Sequence, residues 1–131
     1  MSTHGSFVWN ELATTDPKAA ATFYGKVVGW EVQEFPMPDG GTYYIFRDGE
    51  QNRGGLMALA DMQGPGQGAG MPPCWMSYIG VDDVDQACAR ATEAGGAILM
   101  PPFDIPGVGR IATIRDPQGA AVCLMKEAME A

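Results

Sequence analysis

The stretch "TIRDPQGAAVCLM", residues 113–125, reads as a strand end, a tight turn and a second strand, and parts of it occur twice in the chain. "IFRDG" at 45–49 answers "TIRDP" at 113–117, and "LM" at 56–57 answers "LM" at 124–125, an offset of 115 − 47 = 68 in both cases. Further upstream the offset is 75 − 9 = 66, which places Trp9 on Trp75, Asp16 on Asp82 and Gly29 on Gly95. Ordered matches spanning both halves point to an internal repeat.

Each half reads as a strand, a helix and three strands. "FVWNELA" (7–13) has strand character, and "TTDPKAAATFYGKVVGW" (14–30) supplies Asp16 as N-cap, Pro17 at the first helical position and Gly29 as terminator. Ala20, Phe23, Tyr24 and Val27 fall three and four residues apart, which predicts one buried helical face. "WEVQEF", "TYYIFRD" and "GGLMAL" follow as strands between turn signals. The Gly- and Pro-rich run "ADMQGPGQGAGMPP" holds no regular element and reads as a connection. Beyond it come the strand "CWMSYIGV", the acidic-started helix "DDVDQACARATEAGG", and the strands "AILMPPF", "GRIATIRD" and "GAAVCLMK". The expectation is a single α+β domain over residues 1–131, built of two βαβββ modules, about 6–60 and about 74–126, joined by a linker at 61–73. Each sheet buries one face under its helix, and the opposite, concave faces form a cup with the helices on the convex side.

Sixteen acidic against eight basic side chains give a net charge of −8, which disfavours nucleic acid and anionic membranes as partners. No window approaches the ~20 apolar residues of a membrane span, and a cytoplasmic location is expected. Cys74, Cys88 and Cys123 are odd in number, widely spaced and without a C-x-x-C pair, so neither a disulfide framework nor a zinc knuckle is indicated.

The paired βαβββ pattern, the D-P…F-Y-G…G-W series of residues 16–30 and "RDPQG" before the last strand resemble the vicinal oxygen chelate superfamily, which includes glyoxalase I, extradiol dioxygenases, fosfomycin-modifying enzymes and bleomycin-resistance proteins. The resemblance implies that metal-dependent members carry His or Glu on the first strand of each module and Glu on the last. Carried over, those positions are Trp9, then Met76 or Trp75, on the first strands, and Gly55 and Cys123 on the last. A hard cation wants carboxylate oxygen or imidazole nitrogen, so no metal and no cofactor are expected.

An apolar cup remains, suited to a flat or greasy organic molecule. Its candidate ligand-binding residues are Trp9, Glu11, Met57, Trp75, Tyr78, Arg110 and Cys123. Trp9 and Trp75 are expected to flank one site, and Glu11 shares a strand face with Trp9. Arg110, after "PGVG", is the cation expected to meet an anionic group of the ligand. The leading reading is metal-free binding or sequestration of a small organic metabolite or drug, as in the bleomycin-resistance branch. The alternatives are an enzyme (lyase, isomerase or dioxygenase), either metal-dependent or using Glu11 as base, and a structural module whose cup is filled by its own side chains. Short strands with open edges, together with the resemblance, imply a homodimer.

Overall fold

Asp16 and Pro17 start the first helix as their chemistry requires: the Asp16 carboxylate accepts the Ala19 N–H at 3.1 Å, and Pro17 opens the helix without needing a partner for a backbone N–H. Gly29 ends it at φ 80°, a left-handed conformation that an L side chain adopts only at a cost. The computed structural model describes residues 3–36, 40–61, 72–105 and 108–128. Within them the order is β1 (Phe7–Thr14), α1 (Pro17–Val28), β2 (Glu31–Pro36), β3 (Thr42–Asp48), β4 (Gln51–Ala58), β5 (Cys74–Gly80), α2 (Val84–Glu93), β6 (Ala97–Ile105), β7 (Gly109–Arg115) and β8 (Ala121–Glu127), with a 3₁₀ turn at Leu59–Asp61. The fold is α+β with two βαβββ modules. Residues 62–71, the greater part of the expected linker, lie outside the described residues.

The chain forms two compact units, one spanning Trp9–Trp75 and the other running from Met76 onward together with the stretch up to Val8. In the first, the strand order is β2-β3-β4-β1, with β1 parallel to β4 and the other neighbours antiparallel. Leu12, Tyr44, Phe46 and Leu56 form its buried core, against which Ala20, Ala21, Tyr24 and Trp30 pack. The expected helix face is therefore rotated. Phe23 and Val27 stay 57% and 60% exposed, and Ala21 turns inward instead. Tyr24, Trp30, Phe46 and Trp75 form a cluster of tilted and edge-on rings with centroids 4.9–6.4 Å apart on this side of the sheet, and the small Ala20 and Ala21 fit beside it.

In the second unit the order is β5-β8-β7-β6, with β5 parallel to β8. Val84 and Cys88 of α2 pack on Ala112 and Leu124, flanked by Ile79, Ile98 and Ile114. The N-cap of α2 is Asp83, whose carboxylate accepts the Gln86 N–H at 3.0 Å, rather than Asp82 as the sequence offset suggests. The Asp82 N–H instead donates to His4 Nδ1 at 3.0 Å. Among the described residues no helix is long and apolar enough to cross a membrane.

The capping geometry makes a direct prediction. Asp16→Ala and Gly29→Ala should each cost about 1 kcal/mol, the first by losing a cap acceptor and the second by forcing a Cβ into the left-handed region. Urea denaturation midpoints measure both, and unchanged midpoints would contradict the assigned caps.

Candidate functional site

Because side chains alternate along a strand, the residues between those of the Leu12, Tyr44, Phe46 and Leu56 core point away from α1. That face carries Trp9 and Glu11 on β1, Tyr43 and Ile45 on β3, and Gly55 and Met57 on β4, with Glu11 and Ile45 both in register with Gly55. Three of these side chains form one hydrogen-bonded series. The Trp9 indole N–H donates to the Tyr43 hydroxyl at 3.0 Å, and the Tyr43 O–H donates to Glu11 Oε2 at 2.8 Å. Glu11 is 8% exposed, so a charge-assisted bond from a neutral donor helps hold an otherwise costly carboxylate.

Gly55 makes this arrangement possible. A Cβ built there would fall on the Tyr43 hydroxyl and within 3.1 Å of Trp9 Nε1, so the phenol occupies the space that any other residue's side chain would claim. Burial, then the neighbouring Glu11 charge, push the Tyr43 phenol well above its ordinary value of 10.0, outweighing the opposing bond from Trp9. Tyr43 thus remains a donor throughout the neutral range.

The corresponding face in the second unit has a different chemistry. Tyr78 on β5 is in register with Cys123 on β8, Cys123 with Thr113 on β7, and Thr113 with Met100 on β6. All four are buried, as are Met76, Ile111 and Met125. The Cys123 thiol lies 3.5 Å from the Thr113 hydroxyl. The thioether, thiol and aliphatic groups of this surface, beside the Tyr78 phenol and the Thr113 hydroxyl, are polarizable and adaptable.

Two expected site residues stand elsewhere. Trp75 does not share a face with Trp9: it packs edge-on against Tyr24 at 5.5 Å, donates its indole N–H to the Tyr24 hydroxyl at 3.2 Å and is 42% exposed. The one-residue shift of the α2 cap from Asp82 to Asp83 explains the difference, since an offset of 83 − 16 = 67 places Trp9 on Met76. Arg110 is not available to an anionic ligand group. Its guanidinium binds both Asp85 oxygens, at 2.7 and 2.9 Å, and Asp104 at 3.2 Å, tying β7 to α2 and β6. The hydrogen bond from Arg110 accordingly holds the Asp85 carboxyl below its ordinary value. Tyr43 was not singled out in the sequence, although in the pair Tyr43–Tyr44 alternation requires one ring to face away from the helix.

The metal positions implied by the resemblance can be tested on these residues. At Gly55 a phenol fills the space of the expected side chain, Trp9 offers an indole N–H that only donates, and Met76 and Cys123 offer sulfur. Among the described residues no three His, Cys, Asp or Glu side chains gather in a metal-binding group. This donor set does not fit a hard divalent cation. A separate cleft of about 350 Å³, lined by Thr15, Lys18, Gly41, Thr42 and Tyr44 among others, opens at the start of α1, whose first N–H groups Asp16 already caps.

Gly55→Ala should displace the Tyr43 hydroxyl and cost about 1–3 kcal/mol. In a Tyr43→Phe background the cost should shrink without vanishing, because the ring edge also enters the space of that Cβ. Equal costs in the two backgrounds, measured by chemical denaturation, would contradict the close approach. The raised Tyr43 pKa also has a definite sign. Its stabilising effect is complete below pH 10, the ordinary value, and is lost as pH climbs above it and the unfolded chain ionises. Stability should therefore fall more steeply above pH 10 in the wild type than in Tyr43→Phe, and parallel curves would contradict the assignment.

Residues 6–124 match the model of the Glyoxalase/Bleomycin resistance protein/Dioxygenase superfamily. A glyoxylase candidate of Mycobacterium tuberculosis, CFP32, is 44% identical over 116 residues, covering 88% of this chain and 43% of that protein. The anthracycline biosynthesis protein DnrV of Streptomyces peucetius is 34% identical over 134 residues, covering 94% of this chain and 47% of that one. The chain thus spans less than half the length of these relatives. Methylmalonyl-CoA epimerase from Mycobacterium tuberculosis shares the fold at a TM-score of 0.64 and 18% identity, covering 98% of this chain and 92% of its own. Homoprotocatechuate 2,3-dioxygenase from B. fuscum shares it at 0.61 and 20%, covering 95% of this chain and 33% of its own. The chain belongs to the glyoxalase/bleomycin resistance protein/dioxygenase superfamily.

Proposed function

We propose that the protein binds a small organic molecule without a metal, on the face of β1, β3 and β4 opposite α1. The observation that carries this reading is the Trp9–Tyr43–Glu11 series seated over Gly55, in which an indole stands at one ligand position implied by the resemblance, Trp9, and a phenol fills the side-chain space of another, Gly55. A buried carboxylate beside indole, Ile45 and Met57 suits a flat, largely apolar molecule that presents a hydroxyl or amide donor. The name of the relative DnrV, an anthracycline biosynthesis protein, accords with a planar aromatic ligand. Cys123 and Tyr78, in register on the second module, are candidates for apolar contact with a small molecule on that module's own face.

An anthracycline is a suitable first probe. Its titration should quench tryptophan fluorescence, and Trp9→Phe, which removes the indole donor, should weaken binding by about 1–3 kcal/mol, on the scale of a lost stacking and hydrogen-bond contact. Elemental analysis of the same sample should find no stoichiometric Zn, Ni, Mn or Fe. A bound metal that EDTA removes together with binding would overturn the metal-free reading.

One observation favours catalysis as a second reading. The Tyr43 O–H fixes the orientation of the Glu11 carboxylate on a buried face, an arrangement that suits a general base. The relative CFP32, named as a glyoxylase candidate, makes 2-oxoaldehydes such as methylglyoxal the substrates to assay. Turnover lost in Glu11→Gln with binding retained would establish this reading, whereas absence of turnover beside tight binding would leave sequestration.

A further inference from the structure

We infer that the cleft at the start of α1 is a second binding site, separate from the face of Trp9 and Glu11, and that it takes a neutral polyhydroxylated molecule such as a monosaccharide. Side-chain alternation divides the two surfaces. Tyr43 bonds to Trp9 and Glu11 on one side of the sheet, so its neighbour Tyr44 faces the α1 side, where it joins the core with Leu12, Phe46 and Leu56 and also lines the cleft. The cleft holds about 350 Å³, within the range of roughly 300–1,000 Å³ common to small-molecule sites.

Tyr44 distinguishes this cleft from a mere gap beside a helix. It is 8% exposed, and its hydroxyl makes no hydrogen bond among the described residues. A phenol so deeply placed normally has a partner, as Tyr43 and Tyr24 have. Nor is the hydroxyl sealed off. Among the described residues the Arg47 Nε alone is both fully enclosed and unpaired, so the Tyr44 oxygen keeps an opening, and the cleft is the opening that its side chain lines.

Around Tyr44 stand groups of both hydrogen-bonding senses. The Thr15 and Thr42 hydroxyls donate or accept, the Lys18 ammonium donates, and Asp16 Oδ2 accepts while Oδ1 takes the Ala19 N–H at 3.1 Å. Asp16 and Lys18 are the only charged residues among the described ones that line the cleft, and their charges cancel. A phosphate or carboxylate would meet the Asp16 carboxylate, and the helix start offers little against it, since Pro17 brings no N–H and that of Ala19 is in use. A cation would meet Lys18. Each sugar hydroxyl both donates and accepts, so adjacent hydroxyls satisfy a carboxylate and an ammonium together, and the mixed lining matches them.

Titration of the ¹⁵N-labelled protein with glucose, galactose, mannose and ribose tests this directly. At least one sugar should give saturable shifts of the Lys18 and Thr42 amides in the millimolar range while the Trp9 indole signal stays in place. Tyr44→Phe, which keeps the ring in the core, and Lys18→Ala, at an exposed position, should each raise the dissociation constant about five- to tenfold, the scale of one lost hydrogen bond. Asp16→Asn, which keeps a cap acceptor, should weaken the sugar as well, whereas it would tighten an anionic occupant. No saturable shift with any of the four sugars, an affinity unchanged in both Tyr44→Phe and Lys18→Ala, or saturation by inorganic phosphate or glycine instead would overturn the inference. So would a sugar that moves the Trp9 signal in place of the Lys18 amide.

Discussion

The contact between the Tyr43 hydroxyl and the vacant side-chain position of Gly55 organises the face of β1, β3 and β4 opposite α1. Without a Cβ at position 55, the phenol reaches across the sheet, accepts from Trp9 and donates to Glu11. With one, the phenol must move and the buried carboxylate loses a donor. β1 and β4 pair in parallel and set Glu11 in register with Gly55.

The two modules share an element order but not a surface. One presents indole, phenol and carboxylate; the other presents Met76, Met100, Cys123 and Met125 around Thr113 and Tyr78. The register of the two first strands aligns Glu11 opposite Gly55 and Tyr78 opposite Cys123, so equivalent backbone positions carry a carboxyl group beside a glycine in one case and a phenol beside a thiol in the other.

Much of the fold was legible because it rests on local chemistry. Asp16, Pro17 and Gly29 mark the ends of α1 by capping and left-handed geometry, and β3 occupies the stretch that reads as a strand, Thr42–Asp48. The rotation of α1 was not legible, since periodicity cannot weigh Ala21 against Phe23 once Trp30, Phe46 and Trp75 crowd the sheet. The same limit applies to the site. Trp9 and Glu11 were found from alternation on one strand, but their link through Tyr43 crosses 32 and 34 residues of sequence and depends on the pairing of β1 with β4 and of β4 with β3. Arg110 looked available because its partner Asp85 lies 25 residues away on a helix that only the folded packing brings close. Trp75 was misplaced by one residue of offset, and one residue reverses a side chain's face on a strand.

The most direct test of the Trp9–Tyr43–Glu11 hydrogen-bond series is the ¹H–¹⁵N spectrum of the three tryptophan indoles, with the Trp9 signal assigned by its loss in Trp9→Phe. The Trp9 signal should be shifted downfield, protected from exchange, moved in Tyr43→Phe and unaffected by a several-fold excess of Mn²⁺, Ni²⁺ or Zn²⁺. A Trp9 indole that exchanges freely in the wild type would contradict the Trp9–Tyr43–Glu11 series, and one broadened or shifted at one equivalent of metal would contradict the metal-free binding proposed from it.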